Sequence, residues 1–168
     1  MIIALTGFMG SGKSRIGKLL AESIGWEFID LDRYIVHKTG RDIPQIFQEG
    51  ELKFRVIEAE AVRDIITMRQ VTGEDLVLAL GGGTFSNSSV RWLILEQTQT
   101  VFLHAGLDTI IGRLGTGSRS RPLYKDKYSV EQLLDDRTPD YEEAKFTVET
   151  GQRPPEDVVE DIKSFIFK

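Results

Sequence analysis

Short, wholly apolar runs alternate along the chain with segments whose apolar residues recur every three or four positions. Ile2-Ile3-Ala4-Leu5 reads as a buried strand. Ile16, Leu19, Leu20 and Ile24 then keep helical spacing, with Gly25 as a stop. Phe28-Ile29 is a short second strand ending in Asp30-Leu31-Asp32. A polar helical stretch with Ile35 follows, then Ile43, Ile46 and Phe47, then a longer helix with Phe54, Ile57, Ala61 and Ile65 on one face. Leu76-Val77-Leu78-Ala79-Leu80 is a third strand, closed by Gly81-Gly82-Gly83. Val90, Leu93 and Ile94 mark a helix, Thr100-Val101-Phe102-Leu103 a fourth strand, and Leu107, Ile110, Ile111 and Leu114 the next helix. The stretch 115–127 breaks the pattern and reads as a mobile cationic loop, with Arg119, Arg121, Lys125 and Lys127 among glycine and serine. Val130, Leu133 and Leu134 resume a helix. Thr138-Pro139 suggests a fresh start, with Asp140, Glu142 and Glu143 in its first turn. Phe146-Thr147-Val148 reads as a fifth strand. Pro154-Pro155 opens a last helix with Val158, Val159, Ile162, Phe165 and Ile166 on one face.

Strands alternating with helices predict an α/β fold with a parallel sheet covered on both faces. No internal repeat or linker interrupts it, so 168 residues read as one domain spanning 1–168. Ligands of such sheets gather at the carboxyl ends of the strands. Asp30, Asp32, the glycine triplet and the first glycine loop all fall at such ends. The absence of cysteine excludes disulfides, thiolate zinc sites and a cysteine nucleophile. Lys and Arg number 21 against 26 Asp and Glu, a net charge of −5, which argues against nucleic acid or an anionic membrane as partner. No apolar run approaches the ~18 residues of a spanning helix. Met1–Leu5 runs into a glycine loop with no basic segment before it, so no signal peptide is expected. A cytoplasmic protein is the expectation, and monomer the default.

Gly7-Phe8-Met9-Gly10-Ser11-Gly12-Lys13-Ser14 fits G-x-x-x-x-G-K-[ST] between a strand and a helix. Glycines let the backbone wrap a phosphate chain with its N–H groups inward, and the helix N-terminus adds positive potential. In such a loop Lys13 reaches the outer phosphates and the Ser14 hydroxyl holds Mg²⁺.

Asp30 and Asp32 lie two apart, so on a strand they face one side. One could hold water on Mg²⁺ while the other accepts a proton from an acceptor hydroxyl. Asp is equally at home as a helix N-cap. Gly81-Gly82-Gly83 offers backbone N–H groups to a ligand, or simply a tight strand-to-helix turn. Arg55 and Glu58 can pair on a helix, and spacing alone favours a solvated pair that contributes little. Arg137 continues the apolar face of Val130 and Leu133, so it points inward. A buried cation calls for an anion, either a protein carboxylate or a substrate carboxylate. Arg121 reads as a surface arginine or as one that closes over phosphates. His37 and His104 read as structural, and Trp26 and Trp92 as packing residues.

Together these residues resemble the shikimate kinase family, small P-loop kinases of the nucleoside-monophosphate-kinase type. Six motifs in order carry the resemblance over essentially the whole chain: the loop Gly7–Ser14, Asp30-Leu31-Asp32, Phe54-Arg55-Val56-Ile57-Glu58, Gly81-Gly82-Gly83, Ser120-Arg121-Pro122-Leu123, and Arg137-Thr138-Pro139-Asp140-Tyr141-Glu142-Glu143. The resemblance implies a three-layer fold around a five-stranded parallel sheet, a substrate-binding helical region around 33–60 and a lid near 113–125. It implies ATP-dependent phosphorylation of the shikimate 3-hydroxyl in aromatic amino-acid biosynthesis, with ATP and Mg²⁺ required. Carried over by motif, Gly10, Ser11, Gly12, Lys13, Ser14 and Arg15 hold the nucleotide, and Lys13, Asp32 and Arg121 are catalytic. Asp32, Arg55, Gly81, Gly82, Gly83 and Arg137 bind shikimate, with Glu58 orienting Arg55. Ser14 and Asp30 serve the metal, and Arg113 and Arg153 match the family's adenine-side arginines.

One residue departs from the family pattern: Arg15 stands where Thr or Ser is usual. A gluconate kinase of the same fold would also need a carboxylate clamp, and a nucleotide-binding regulatory module would need only the phosphate loop. The triplet with Arg55 and Arg137 favours shikimate.

Overall fold

The computed structural model describes residues 1–115 and 126–168. Five parallel strands, β1 (Ile2–Thr6), β2 (Glu27–Asp30), β3 (Leu76–Ala79), β4 (Gln99–His104) and β5 (Phe146–Glu149), form one sheet in the order β2-β3-β1-β4-β5. The connecting helices are α1 (Lys13–Ile24), α2 (Leu31–Thr39), α3 (Ile43–Gln48), α4 (Glu51–Thr72), α5 (Ser88–Gln97), α6 (Leu107–Leu114), α7 (Lys127–Tyr141) and α8 (Pro155–Ile166).

The sheet is buried on both faces because side chains alternate across it. On β1, Ile2 and Ala4 enter one core while Ile3 and Leu5 enter the other. On β3, Leu76 and Leu78, with Leu80 just past the strand, join the first core and Val77 the second. The second core is closed by Ile16, Leu20 and Ala21 of α1 and Val158, Val159 and Ile162 of α8. The first takes α2 to α7, including Ile35, Ile46, Phe54, Val62, Ile94, Ile110 and Val130. Central β1, flanked by β3 and β4, therefore carries its carboxyl end into the middle of one edge, where the strand order reverses and ligands of such sheets bind.

Two expectations from the sequence are corrected. Asp32 does not share a strand face with Asp30, because β2 ends at Asp30 and Asp32 lies in the first turn of α2. Thr138-Pro139 does not begin a helix: α7 runs unbroken through Pro139 to Tyr141, with Glu142 at its C-cap. Proline removes one N–H from the ladder, but only the last turn follows it. Thr138 Oγ1 donates to Leu134 O at 2.6 Å and the Glu142 amide to Thr138 O at 3.0 Å. Arg137 and Tyr141, both buried, anchor that turn to the core. The helices over 33–60 form as expected. Of the expected lid, 116–125 lie outside the described residues, and Arg121 with them.

Candidate active site

A cleft of about 470 Å³ opens at the carboxyl edge of the sheet, walled by the first glycine loop, the start of α2, α3, α4, the glycine triplet and Arg137. The loop turns sharply out of β1. Gly7 has φ 142°, and a Cβ there would fall 2.6 Å from Leu103 O, so no larger residue fits. Gly12 caps α1 at φ 100°, and no side chain caps that helix. Its first N–H groups are therefore left to a ligand. Lys13 is buried, and its Nζ donates to Gly7 O at 2.7 Å and Phe8 O at 2.9 Å. The loop carbonyls thus hold the ammonium against the glycine loop at the cleft wall. Gly10, Gly12, Lys13, Ser14 and Arg15 all line the cleft, whereas Ser11 is buried under the loop with its Oγ unpartnered.

Ser14 donates its hydroxyl hydrogen to Asp30 Oδ2. Asp30 Oδ1 accepts from the Arg33 amide at 3.2 Å and so caps α2. The helix-cap reading of Asp30 holds on Oδ1, while Oδ2 is turned to the Ser14 hydroxyl. A hydroxyl and a carboxylate side by side next to the glycine loop are hard oxygen donors, of the kind that suits Mg²⁺.

Across the cleft, Asp32 opens to solvent by area, yet the walls crowd its carboxylate. That removal from bulk water raises its pKa from 3.8 to about 6. Asp30 and Glu58 push the same way, and Lys13 and Arg55 oppose them. An Asp titrating this close to neutrality in a cleft is placed to exchange a proton.

Arg55 and Glu58 face inward rather than outward, contrary to the solvated pair that spacing favoured. Glu58 is 2% exposed; its Oε1 accepts from Arg55 Nη1 at 2.8 Å and its Oε2 from Thr84 Oγ1 at 2.8 Å. Arg55 lies over the Phe54 ring, 5.2 Å from its centroid. The triplet closes against these groups. A Cβ on Gly81 would fall 2.9 Å from Glu58 Oε2, and one on Gly83 2.6 Å from Arg55 Nη1. Gly82 faces Arg137, whose Nη1 would stand 3.6 Å from such an atom.

Arg137 is 7% exposed, lines the cleft, and pairs with no carboxylate among the described residues. Of the two anions open from sequence, the protein carboxylate is thus absent among those residues. Two neighbours of this corner were not singled out in the sequence. Tyr141, fully buried, donates from its hydroxyl to Gly82 O. Thr84 secures Glu58. For Tyr141 the signal was there, since it lies one helical turn after Arg137; for Thr84 there was none.

Other residues sit farther out. Arg113 lines the cleft and donates to Gly10 O at 3.0 Å and Gly151 O at 2.7 Å, tying the loop to the segment after β5. Arg153 follows that segment, ion-paired with Asp161 and outside the cleft lining. His104 pairs with Glu149 on the neighbouring strand and His37 is exposed. Trp26 packs in the second core, but Trp92 is 65% exposed and is no packing residue.

The shikimate kinase family model matches residues 9–167. The chain is 44% identical over 171 aligned positions to a shikimate kinase of Thermus thermophilus, covering 99% of this chain and 90% of that one. It is 39% identical to a shikimate kinase of Salinibacter ruber, covering 95% and 81%. The fold superposes on a shikimate kinase of Acinetobacter baumannii solved in complex with shikimate, with a TM-score of 0.91, 34% identity and coverage of 99% and 92%.

Proposed function

The chain belongs to the shikimate kinase family, and on that premise we propose how its cleft phosphorylates shikimate. Enzymes of this family transfer a phosphoryl group from ATP to shikimate in aromatic biosynthesis, and the chain is such a kinase. The observation that carries the assignment of parts is Arg137, a buried guanidinium on the cleft wall with no carboxylate partner among the described residues. Burying a cation without an anion is costly, so the anion arrives with the substrate.

Arg137 and Arg55 flank the glycine triplet and grip the shikimate carboxylate. Their planar, forked donors match a carboxylate's two oxygens. Glu58 keeps Arg55 from turning to solvent. The Gly82 amide donates to shikimate at the same corner, and Asp32 receives the ring hydroxyls. This clamp sets the 3-hydroxyl in line with the γ-phosphate, and positioning is the main source of rate in phosphoryl transfer. The loop amides from Gly10 to Arg15 and the Lys13 ammonium hold the ATP phosphates.

The hydroxyl oxygen forms the new bond to the γ-phosphorus. The bond from that phosphorus to the bridging oxygen breaks, and ADP leaves with the electron pair. Asp32 takes the hydroxyl proton as the bond forms. Ser14 and Asp30 are the residues that would hold Mg²⁺, which when bound neutralises charge on the phosphates. Arg113 supports the nucleotide side from its bridge between Gly10 and Gly151. Arg121, outside the described residues, and Arg153, in the segment after β5, complete the nucleotide side by motif. No helix among the described residues is long and apolar enough to cross a membrane.

The test is a panel of acceptors with Mg²⁺–ATP. ADP release that requires shikimate and is not supported by gluconate is the expected outcome. Equal release with both acceptors, or ATP binding with no transfer to either, would overturn the assignment.

A further inference from the structure

The Gly81–Gly83 turn carries two peptide planes whose carbonyls are both tied down. Gly81 O accepts from the Thr84 amide at 3.2 Å. Gly82 O accepts from the Tyr141 hydroxyl. In a trans peptide the N–H points opposite the C=O. Holding the two carbonyls therefore turns the Gly82 and Gly83 amides the other way, and neither amide meets a protein acceptor among the described residues. Tyr141 also stands beside Arg137, one turn back on α7, whose guanidinium acts on the same hydroxyl by charge and as a nearby donor. A single buried phenol thus bonds the Gly82 backbone beside the guanidinium whose Nη1 lies against Gly82, at one corner of the cleft.

We propose that Tyr141 is a positioning residue for the acceptor's carboxylate group: its hydroxyl, set between Gly82 O and the Arg137 guanidinium, holds the triplet amides and the arginine as one preformed anion receiver. The inference rests on the assignment of that corner to the carboxylate. The fold supplies what the role needs. Tyr141 is fully buried, its ring packed against Phe102 with centroids 5.2 Å apart, so the hydroxyl has little freedom. Burial pushes the phenol up to about 12, so it stays protonated and donating across the working pH range. The unbroken course of α7 through Pro139 keeps Arg137 and Tyr141 on one face. From outside, Arg91 braces the junction: its Nη1 donates to Phe85 O at 2.7 Å and pairs with Asp140 at 3.1 Å, and its Nε pairs with Glu143 at 3.1 Å. The turn after the triplet and the end of α7 are thereby held at fixed separation. A binding group prearranged in this way adds affinity by removing the cost of ordering it on arrival.

The test removes the hydroxyl and nothing else. Tyr141→Phe is expected to raise the KM for shikimate roughly tenfold, the loss of about one hydrogen bond. The KM for ATP should stay within about twofold. Thermal unfolding, read alongside, should show a folded protein, since the ring and its packing remain. In an Arg137→Ala background the same change should add far less than in the parent, because the two act on one group. A folded Tyr141→Phe enzyme with unchanged shikimate KM, equal effects on both substrates, or loss of the fold would each overturn the proposal. Failure of the underlying assignment looks different: Arg137→Ala alone would then leave the shikimate KM unchanged.

Discussion

Arg55 Nη1 lies 2.8 Å from Glu58 Oε1 within α4, and the carboxylate end of the pair is almost wholly buried. The other oxygen of Glu58 is held by Thr84. Glu58 therefore joins the helix to the turn that follows the glycine triplet. Glu58→Gln keeps the size but removes the charge. It should cost about 1–3 kcal/mol in stability, the scale of a buried hydrogen bond to a charged group. It should also raise the shikimate KM while sparing the ATP KM. Chemical denaturation and steady-state kinetics read the two effects separately.

Gly83→Ala isolates the position of Arg55 from its charge. The backbone at Gly83 has φ −105°, which alanine adopts freely. The added methyl would sit 2.6 Å from Nη1 and 2.7 Å from Cζ of Arg55, the mobile end of a long side chain. The expected outcome is a protein whose unfolding temperature is little changed and whose shikimate KM is raised. An unfolded variant, or one with normal kinetics, would contradict the close contact.

The Asp32 carboxyl sets a pH dependence. Its folded-state pKa of about 6 lies above the ordinary 3.8, chiefly through removal from bulk water. Between those values the folded protein binds more protons at this group than the unfolded one, so its contribution to stability falls as pH rises from 3.8 to about 6. Asp32→Asn should therefore be the more stable protein at neutral pH while losing turnover. The parent's kcat/KM should show an acid limb near pH 6 that the variant lacks. Melting curves at acid and neutral pH and a pH–rate profile check both halves.

Arg15 is exposed at the cleft and has no partner among the described residues. On the proposed role its contact with the nucleotide is the backbone amide, present whatever the side chain, so Arg15→Thr should shift the ATP KM by no more than about threefold, the scale of an exposed charge. Turnover should hold. A hundredfold gain in turnover would mean that Arg15 obstructs the site.

Much of this arrangement was legible because it rests on local rules. Alternating burial on β1 and β3 follows from strand period, and the phosphate loop follows from glycines between a strand and a helix. What escaped depended on distant partners. Asp30 looked like either a cap or a metal group; the cap is seen on Oδ1, and the pairing of Oδ2 with the distant Ser14 hydroxyl could not be read from local sequence. Arg55 and Glu58 have the spacing of any surface pair, and their burial comes from Thr84 and the triplet folding over them. Thr138-Pro139 carries the signature of a helix start, yet the anchoring of Arg137 and Tyr141 in the core keeps α7 continuous. Trp92 has no local feature that separates a packed tryptophan from an exposed one.

The account turns on Arg137 meeting the substrate's carboxylate. The most direct measurement is ADP release with saturating Mg²⁺–ATP while shikimate is titrated, in the parent and in Arg137→Ala, with Lys13→Ala as the phosphate-side comparison. The account predicts a shikimate KM raised by roughly a hundredfold in Arg137→Ala, the loss of a charge-assisted contact of about 3 kcal/mol, with the ATP KM nearly unchanged. Lys13→Ala should instead lose turnover by about a hundredfold or more. An Arg137→Ala enzyme that binds and phosphorylates shikimate as the parent does would contradict it.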